Sequence, residues 1–414
     1  MSKISEMGLC IIIPAQYKAS EYRMAMKLSD YAKKQLNLNS EVKSADFVTS
    51  DDNSKYRLFI GLYYYVKKIL AKENATIPQY GYCISSSNAV THVYSDTIEG
   101  YEEAYSYVKN ALSNETLFED SFHIGVYNGV IQPEKTERNG YRLLFSNVLG
   151  WCDKLPLYIN SRRVRMLAEL YDSYSPDVIG LQECWDSPTR DNNCSIVDLL
   201  AAYGYTEVPV KVENLRNTNF TPLFIKNGKF DLLDYGYMLY DGELNDVDSK
   251  SVTWAYLRDK GNGNAFIAAA THLFWQHGEE GDAGRVRNAE QVFELARTLC
   301  SEYSVPFILG GDYNCRFGSA AIKRFHENGF VNVHDTAKLA DNTNTCHSYP
   351  KFSEELGIYE STVTELGDYH KRAIDHIYAY NINEKTKFNR FKVIDEPYAL
   401  EASDHCPIMV DFNL

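Results

Sequence analysis

The sequence predicts an α/β protein of two domains, in which a small N-terminal α+β domain precedes a larger layered α/β domain built on two packed sheets. The chain has 414 residues, and a chain of that length divides more readily into two hydrophobic cores than it fills one. A polar stretch at 132–140 is typical of a linker. Beyond it, short apolar runs alternate with segments of helical periodicity, which favours packed layers of sheet and helix. We therefore expect a small domain at 1–115, a linker at 116–139 and a larger domain at 140–414.

The first domain is predicted to have its own strands and helices. An apolar strand ends at Pro14, since proline cannot continue it, and the next segment carries Leu28, Ala32 and Leu36 at helical spacing. No cluster of catalytic residue types occurs there, so we expect this domain to be non-catalytic. In chain order the predicted elements are a strand at 9–13, a helix at 19–36, a strand at 57–60, a hairpin of strands at 80–85 and 89–94, and a helix at 100–112.

Four short segments of this domain resemble the small non-catalytic domain that precedes the barrel of α-glucuronidases and β-hexosaminidases. The resemblance implies a carbohydrate-rich setting for the protein, and a plain spacer is the alternative. The segments are Ile11-Ile12-Ile13-Pro14, Leu28-Ser29-Asp30-Tyr31, Phe59-Ile60-Gly61 and Gly81-Tyr82-Cys83-Ile84-Ser85.

The second domain is predicted from apolar runs that end in polar residues. A strand buried on both faces reads as a near-continuous apolar run, so the polar residue at its end lies where the sheet meets solvent. Several such ends would together build one pocket. A helix capped by Ser161 and a helix at 285–302 are expected among the strands. The apolar runs lie at 143–147, 178–183, 266–272, 307–314 and 374–378, and further strands are expected at 254–257 and 408–412.

The composition narrows the classes of function. The formal net charge of −14 would repel a long polyanion, so extended duplex DNA is not the expected substrate. No apolar run reaches the ~20 residues of a membrane span, and the N-terminus lacks a secretion-signal pattern. We expect a soluble protein, cytoplasmic as written, although an exported mature form would show the same pattern. The nine cysteines form no C-x-x-C pair, which argues against structural zinc and against a disulfide framework.

The polar residues at the strand ends are of types suited to phosphoester hydrolysis. That reaction needs charge on the phosphoryl oxygens neutralised and a water molecule aligned. Mg²⁺ prefers one or two carboxylates with other oxygen ligands, and Glu183 and Asp404 are placed for it, with Asn147 beside them. Asp312 and Asn314 are two residues apart in an extended stretch, so both side chains face the same way, toward one phosphate.

A histidine and a carboxylate form a second candidate group. Hydrogen bonding of Asp375 to one imidazole nitrogen of His405 would fix the tautomer and make the other nitrogen a better base. His272 arrives from another strand and would donate a proton or a hydrogen bond to the phosphoryl group. The sequence leaves open which of Asp312 and His405 takes the proton from water.

Six motifs, in order and in approximate spacing, resemble the signature of the endonuclease/exonuclease/phosphatase superfamily over residues 140–414. The resemblance implies a four-layered α/β sandwich, in which two mixed sheets pack face to face with helices outside. It also implies Mg²⁺ or Mn²⁺ as the cofactor. The motifs are Asn147, Gln182-Glu183, Thr271-His272-Leu273, Gly311-Asp312-Tyr313-Asn314, Ile374-Asp375-His376-Ile377 and Ser403-Asp404-His405.

The same resemblance implies which residues bind metal and substrate. Glu183 is the principal metal ligand by this likeness, with Asn147 and Asp404 around it. Asn219 lies near the segment that carries a substrate-facing asparagine in the family. Trp275, just after the Thr-His-Leu motif, would give the mouth of the site an aromatic wall for a ring or headgroup.

The catalytic roles follow from the resemblance in the same way. Asp312 aligns or deprotonates the attacking water, while Asn314 and His272 hold the phosphate. His405, oriented by Asp375, acts as a base or as a donor in the transition state.

Three functions are compatible with these residues. The first is a metal-dependent hydrolase of a small or lipid-like phosphodiester or phosphomonoester, which the acidic charge favours and which would take a glycan or lipid headgroup. The second is a nuclease that acts on single strands or terminal nucleotides by stacking bases on aromatic side chains. The third is a non-catalytic binding module on the same fold. A cluster of arginines around the pocket would favour the nuclease, and the candidates are Arg162, Arg285, Arg287 and Arg316.

Overall fold

The computed structural model describes residues 4–114, 119–129, 140–150, 160–184, 195–210, 221–241, 250–355 and 358–414, together with 116, 135 and 138. Contacts between residues divide the chain into two compact units. The first contains Met1–Ile131 and the short segment Ser353–Ile358. The second contains Gln132–Phe352 and Tyr359–Leu414.

The first unit is a six-stranded mixed sheet with helices. The strand order is β2-β1-β3-β5-β4-β6, and the first four of these strands run parallel. Its helices span Ile4–Met7, Ala19–Leu36, Tyr63–Glu73 and Ile98–Ser113, with short 3-10 turns at Ala45–Phe47 and Ser50–Ser54. The strands are β1 (Leu9–Ile13), β2 (Ser40–Ser44), β3 (Tyr56–Ile60), β4 (Gly81–Ser87), β5 (Val90–Ser95) and β6 (Ser121–Val126).

Strand β6 lies inside the segment 116–139, which the sequence predicts to be a linker. It pairs antiparallel with β4, with Ile84 opposite His123, so this part of the segment belongs to the sheet of the first unit. The sequence pattern does not indicate this strand, because serine, histidine and glycine interrupt its apolar residues and because an edge strand needs no buried face. Its side chains are accordingly half-buried or exposed.

The second unit contains two large sheets. One has seven strands in the order β16-β20-β21-β7-β8-β10-β9, and the other has six in the order β11-β12-β13-β14-β19-β15. A separate small sheet pairs β17 with β18, of which Ser353 and Ile358 are counted with the first unit. The strands are β7 (Tyr141–Asn147), β8 (Val178–Gln182), β9 (Tyr205–Glu207), β10 (Leu223–Lys226), β11 (Phe230–Leu239), β12 (Ser251–Asp259), β13 (Ala265–His272), β14 (Phe307–Asp312), β15 (Val331–Asn332), β16 (Leu339–Ala340), β17 (Lys351–Ser353), β18 (Ile358–Glu360), β19 (Asp375–Tyr380), β20 (Lys387–Val393) and β21 (Ile408–Asn413).

The two large sheets pack face to face, with helices on their outer sides. The core between the sheets takes buried side chains from both, including Phe145, Ala270, Ile308 and Val410. The packing is close, since a Cβ atom at Gly310 would lie 2.1 Å from a ring carbon of Phe145. The four-layered sandwich predicted from the sequence is therefore confirmed. The helices are Asn160–Tyr174, Ile196–Ala202, Gly278–Tyr303, Ala320–Glu327, Val333–Thr336, Tyr369–Arg372 and Pro397–Ala402.

Each large sheet has a parallel pair of strands near its centre. β7 and β8 are parallel and are joined through the helix Asn160–Tyr174, and β13 and β14 are parallel and are joined through Gly278–Tyr303. The first of these helices begins at Asn160, so Ser161 lies within its first turn and is not its N-cap. A helical crossover brings the chain back to the same end of the sheet, so the carboxyl ends of each parallel pair lie side by side. None of the helices in the described part of the chain is long and apolar enough to span a membrane.

Candidate active site

The pairing registers bring the predicted site residues together at the strand ends. Asn147, the last residue of β7, is level with Gln182, the last residue of β8. In the other sheet, His272 at the end of β13 is level with Asp312 at the end of β14, which is in turn level with Asp375 at the start of β19. Residues far apart in sequence thus lie at one edge of the sandwich.

Asn147 connects the two sheets through carboxylates. Its amide nitrogen donates to Glu183 Oε1 at 3.0 Å and to Asp312 Oδ2 at 3.1 Å. Its amide oxygen accepts the backbone N–H of Leu149 at 3.0 Å. In this orientation the nitrogen of Asn147, and not its oxygen, faces the carboxylates. Asn147 therefore holds Glu183 and Asp312 side by side.

Glu183 follows β8 in a left-handed backbone conformation with φ of +57°. A residue with a Cβ atom adopts that conformation at a cost of about 1 kcal/mol, and such positions cluster at functional sites. Glu183 also belongs to a group with His272 and Asp312 whose candidate ligand atoms all lie within 4.8 Å of one another. The turn after β8 thus directs Glu183 toward the opposite sheet.

Asp312 is a buried carboxylate surrounded by hydrogen-bond donors and imidazoles. The backbone N–H of Asn314 donates to its Oδ1 at 2.8 Å, and His272 Nε2 lies 3.3 Å from its Oδ2. Burial alone would raise the pKa of Asp312, but His272, His405 and the amide of Asn314 together hold that pKa well below its usual range. Asp312 is therefore ionised at neutral pH.

His272 is fixed by its neighbours in a neutral form. Burial, and then the ammonium of Lys250, lower its pKa. The amide nitrogen of Asn314 donates to His272 Nε2 at 2.9 Å and to the carbonyl of Leu273 at 3.0 Å. Both N–H groups of the Asn314 side chain are thus directed at the protein, and Asn314 orients His272.

Asp375 and His405 form a buried pair. His405 Nδ1 lies 2.9 Å from Asp375 Oδ2, and Thr345 Oγ1 donates to the same oxygen at 2.6 Å. Burial alone would lower the pKa of His405, but the carboxylate of Asp375 raises it well above its ordinary value. Its Nε2 lies 3.8 Å from Asp312 Oδ2. His405 is therefore a positively charged donor that faces Asp312.

The carboxylates of the site have the chemistry of a hard-cation site. Burial, helped by the charges of Glu183 and Asp312 and opposed by His405, raises the pKa of Asp404 to about 6. A divalent cation bound there would relieve this repulsion, and oxygen donors are what Mg²⁺ or Mn²⁺ prefers. Beside Glu183, the amide of Gln182 is fully buried, and its two polar atoms have no partner among the described residues. The residues present therefore fit the metal that the family resemblance implies, with Glu183 and Asp404 as the acids that would hold it.

Two residues of the site were not singled out from the sequence. Lys250 is 4% exposed, and its ammonium nitrogen lies 3.0 Å from His272 Nε2 and 3.1 Å from His272 Nδ1. Thr345 contacts Asp375 through its hydroxyl group, as described above. Neither residue ends an apolar run of strand length, which is the signal that identifies Asn147, Glu183, His272 and Asp312, and neither belongs to one of the six motifs.

The remaining predicted residues lie in different settings. Trp275, the predicted aromatic wall, is 46% exposed, whereas its neighbour Phe274 is 2% exposed and packs in the interior. Arg285 is also buried and donates to the carbonyls of Phe274 and Gln276. Its guanidinium therefore supports this loop. Asn219 lies outside the described residues.

A buried arginine supports the loops that carry the site. Arg163 is fully buried and donates to the carbonyls of Val148, Leu149 and Ala402. The Ser403 hydroxyl donates to the carbonyl of Asn147 at 2.8 Å. These contacts tie the end of β7 to the segment that contains Asp404 and His405.

A two-sheet sandwich that carries carboxylates and histidines at the ends of its central strands has the architecture of a class of phosphoester hydrolases. The sequence model of the endonuclease/exonuclease/phosphatase family matches residues 154–405. That match spans more than half of the chain, and the protein belongs to this family. Proteins of the family hydrolyse phosphoesters, nucleic acids among them.

Solved structures share the fold at low sequence identity. An endonuclease/exonuclease/phosphatase family protein from Bacteroides thetaiotaomicron is 17% identical, with a TM-score of 0.52 over 66% of this chain and 94% of that one. A mannosyl-6-phosphatase from the same organism is 18% identical, with a TM-score of 0.51 over 66% and 100% of the two chains. A functionally unknown conserved protein from Enterococcus faecalis is 15% identical, with a TM-score of 0.50 over 66% and 98%. No curated protein sequence matches the chain.

Proposed function

We propose that this protein is a metal-dependent phosphoesterase that hydrolyses a small or lipid-like phosphoester by in-line attack of water. The observation that carries the proposal is the hydrogen-bonded chain Glu183, Asn147, Asp312, in contact with His272 and near His405. It brings acids, an amide and two imidazoles of opposite protonation state into one buried cluster. Pairs of titratable groups whose surroundings drive their pKa values apart are typical of acid and base roles.

The residues divide the chemistry between them. Asp312, ionised and a hydrogen-bond acceptor, orients the attacking water and accepts its proton. His405, kept protonated by Asp375, donates a hydrogen bond to a phosphoryl oxygen as negative charge develops there. When bound by Glu183 and Asp404, a divalent cation supplies Lewis-acid stabilisation of charge on the phosphoryl group. Asn147 keeps Glu183 and Asp312 at the separation that both tasks need.

The chemistry belongs to the second unit. The first unit also has a group of metal-ligating residue types, formed by Cys10, Glu41 and Asp52. Asp52 is ion-paired with Lys43 at 2.7 Å, and burial raises the pKa of the Cys10 thiol to about 11, so this thiol is protonated and a poor ligand. We therefore propose that the first unit is non-catalytic.

The test is hydrolysis of a phosphate panel by the full-length protein in Mg²⁺, in Mn²⁺ and in EDTA. The panel contains p-nitrophenyl phosphate, bis-(p-nitrophenyl) phosphate, sphingomyelin and a single-stranded oligonucleotide. It also contains a mannosyl 6-phosphate ester, because a solved mannosyl-6-phosphatase shares the fold. We expect turnover of a small ester in Mg²⁺ or Mn²⁺ and none in EDTA.

A Glu183→Gln variant tests the site itself. Loss of its charge should lower the metal-dependent rate at least about 10²-fold, as for other groups that act on the transition state. Glu327→Gln is the matched control, since the side chain of Glu327 is 62% exposed and pairs with Arg324 at the surface. Equal activity of wild type and Glu183→Gln would refute the assignment of the site, and turnover of the oligonucleotide alone would favour the nuclease.

A further inference from the structure

Lys250 places a positive charge inside the candidate active site. The residue lies just before β12, and only 4% of it is exposed. Its ammonium contacts both ring nitrogens of His272, and His272 Nε2 is itself 3.3 Å from Asp312 Oδ2. The ammonium and the carboxylate that we assign to the attacking water therefore contact the same ring nitrogen of His272.

Asn314 does not present donors to a phosphate in this arrangement. The family resemblance implies that Asn314 holds the phosphate. However, its two N–H groups are directed at His272 Nε2 and at the carbonyl of Leu273. Of the described side chains that contact His272, Lys250 is the one that carries an ammonium group, and an ammonium is a hydrogen-bond donor with a full positive charge.

We propose that Lys250 binds a non-bridging oxygen of the phosphoryl group and favours doubly charged phosphomonoesters over singly charged phosphodiesters. This inference rests on the proposed phosphoesterase function. The ammonium of lysine is a compact point charge and a common phosphate ligand. Its Coulomb attraction to a dianion is twice its attraction to a monoanion at the same distance. Removing the charge should therefore cost twice as much free energy for the monoester as for the diester. The fold-change for the monoester is then the square of the fold-change for the diester.

The experiment compares two esters with one leaving group, p-nitrophenyl phosphate and bis-(p-nitrophenyl) phosphate, at a pH where the monoester is a dianion. We expect Lys250→Met to lower kcat/KM about 10-fold for the diester and about 10²-fold for the monoester, in proportion to charge. Lys250→Arg should recover part of the monoester activity because it keeps the charge. The control is Lys392→Met, since Lys392 is equally buried at 4% exposure and lies 3.6 Å from Asp341.

Inorganic phosphate gives a second readout that does not depend on turnover. With Mg²⁺ or Mn²⁺ present, phosphate should raise the Tm of the wild type and of Lys392→Met, and it should raise the Tm of Lys250→Met much less. A purely structural role for Lys250 would instead lower the Tm without phosphate and leave the phosphate-induced increment unchanged.

The outcomes separate the two proposals. If both esters are turned over and Lys250→Met loses kcat/KM equally for the two, or loses none, the inference about Lys250 is overturned. The proposed phosphoesterase function is then unaffected. Absence of turnover together with phosphate binding that requires Lys250 overturns the hydrolase and keeps the anion site. Absence of both turnover and phosphate binding overturns both.

Discussion

Asp375 contacts both His405 and Thr345, and its carboxylate determines the charge that His405 carries at neutral pH. Burial raises the pKa of Asp375 itself to about 6, which still leaves it mainly ionised at pH 7. The Thr345 hydroxyl supports the ionised form by donating to the oxygen that contacts His405. A charged histidine in a buried site therefore depends on one carboxylate and on the threonine behind it.

Replacing Asp375 should change the pH dependence as well as the rate. In the wild type His405 stays protonated up to a raised pKa, so the loss of activity caused by its deprotonation should begin on the alkaline side of that pKa. In Asp375→Asn the pKa of His405 falls, and the alkaline limb of the kcat profile should move to lower pH. We expect kcat at pH 8 to drop about 10²-fold or more, with a much smaller change in KM.

A kcat profile from pH 5 to pH 10 checks this prediction. Thr345→Val is the matched control, because it removes one hydrogen bond to Asp375 and keeps the carboxylate. Thr345→Val should shift the alkaline limb of the kcat profile to lower pH, but by less than Asp375→Asn does. An Asp375→Asn profile that is lower but unshifted would show that the pair acts only through geometry.

At the scale of elements, Arg163 holds together segments that are distant in the chain. It belongs to the helix Asn160–Tyr174, and it donates to carbonyls after β7 and at the end of the helix Pro397–Ala402. Buried carbonyls that lose a charged donor are left unsatisfied, which costs about 1–3 kcal/mol each. The short loops that carry Asn147 and Asp404 are thus kept in place by one guanidinium.

We expect Arg163→Met to lower the free energy of unfolding of the second unit by about 3 kcal/mol. It should also lower phosphoesterase activity, because the two loops lose their common anchor. Urea unfolding followed by fluorescence and by circular dichroism measures the first effect. Arg297→Met is the control, since the side chain of Arg297 is 54% exposed and pairs with Glu294 at the surface. Its effect should stay within about 0.5 kcal/mol.

At the scale of the whole molecule, the first of the two units should lose stability in acid. In the first unit, hydrogen bonds from Lys43, followed by the backbone amide of Thr49, hold the pKa of Asp52 well below its usual range. A carboxyl group whose pKa is depressed in the folded state stabilises that state at pH values above the pKa that the group has in the unfolded chain. That stabilisation is lost as pH falls below about 4.

The first unit should therefore lose stability between pH 4 and pH 2, and Asp52→Asn should lose less over the same range. The Tm of the transition assigned to the first unit, measured from pH 7 to pH 2.5, checks the prediction. Asp51→Asn, at the exposed neighbouring position, is the control and should follow the wild type. A wild-type Tm that rises on acidification through pH 4 would contradict it.

The fold was predictable because its signals are local. The runs that end at Asn147, Glu183, His272 and Asp312 are apolar over strand length, and each lies where β7, β8, β13 or β14 ends in the structure. The sequence predicts a linker where strand β6 lies, because a half-buried edge strand carries little apolar signal. The sequence motifs also identified residues that the registers bring together, since parallel strands joined by a helix place their carboxyl ends side by side.

The sequence by itself determined the layered α/β fold, its family and the residue types at the strand ends, because hydrophobic periodicity and motif order are properties of neighbouring residues. Only the tertiary structure decided that the amide nitrogen of Asn147 faces two carboxylates, that Asn314 directs its N–H groups at His272, and that Lys250 joins the site. These are distances between atoms of segments far apart in the chain. They depend on how two sheets pack, which no local pattern encodes.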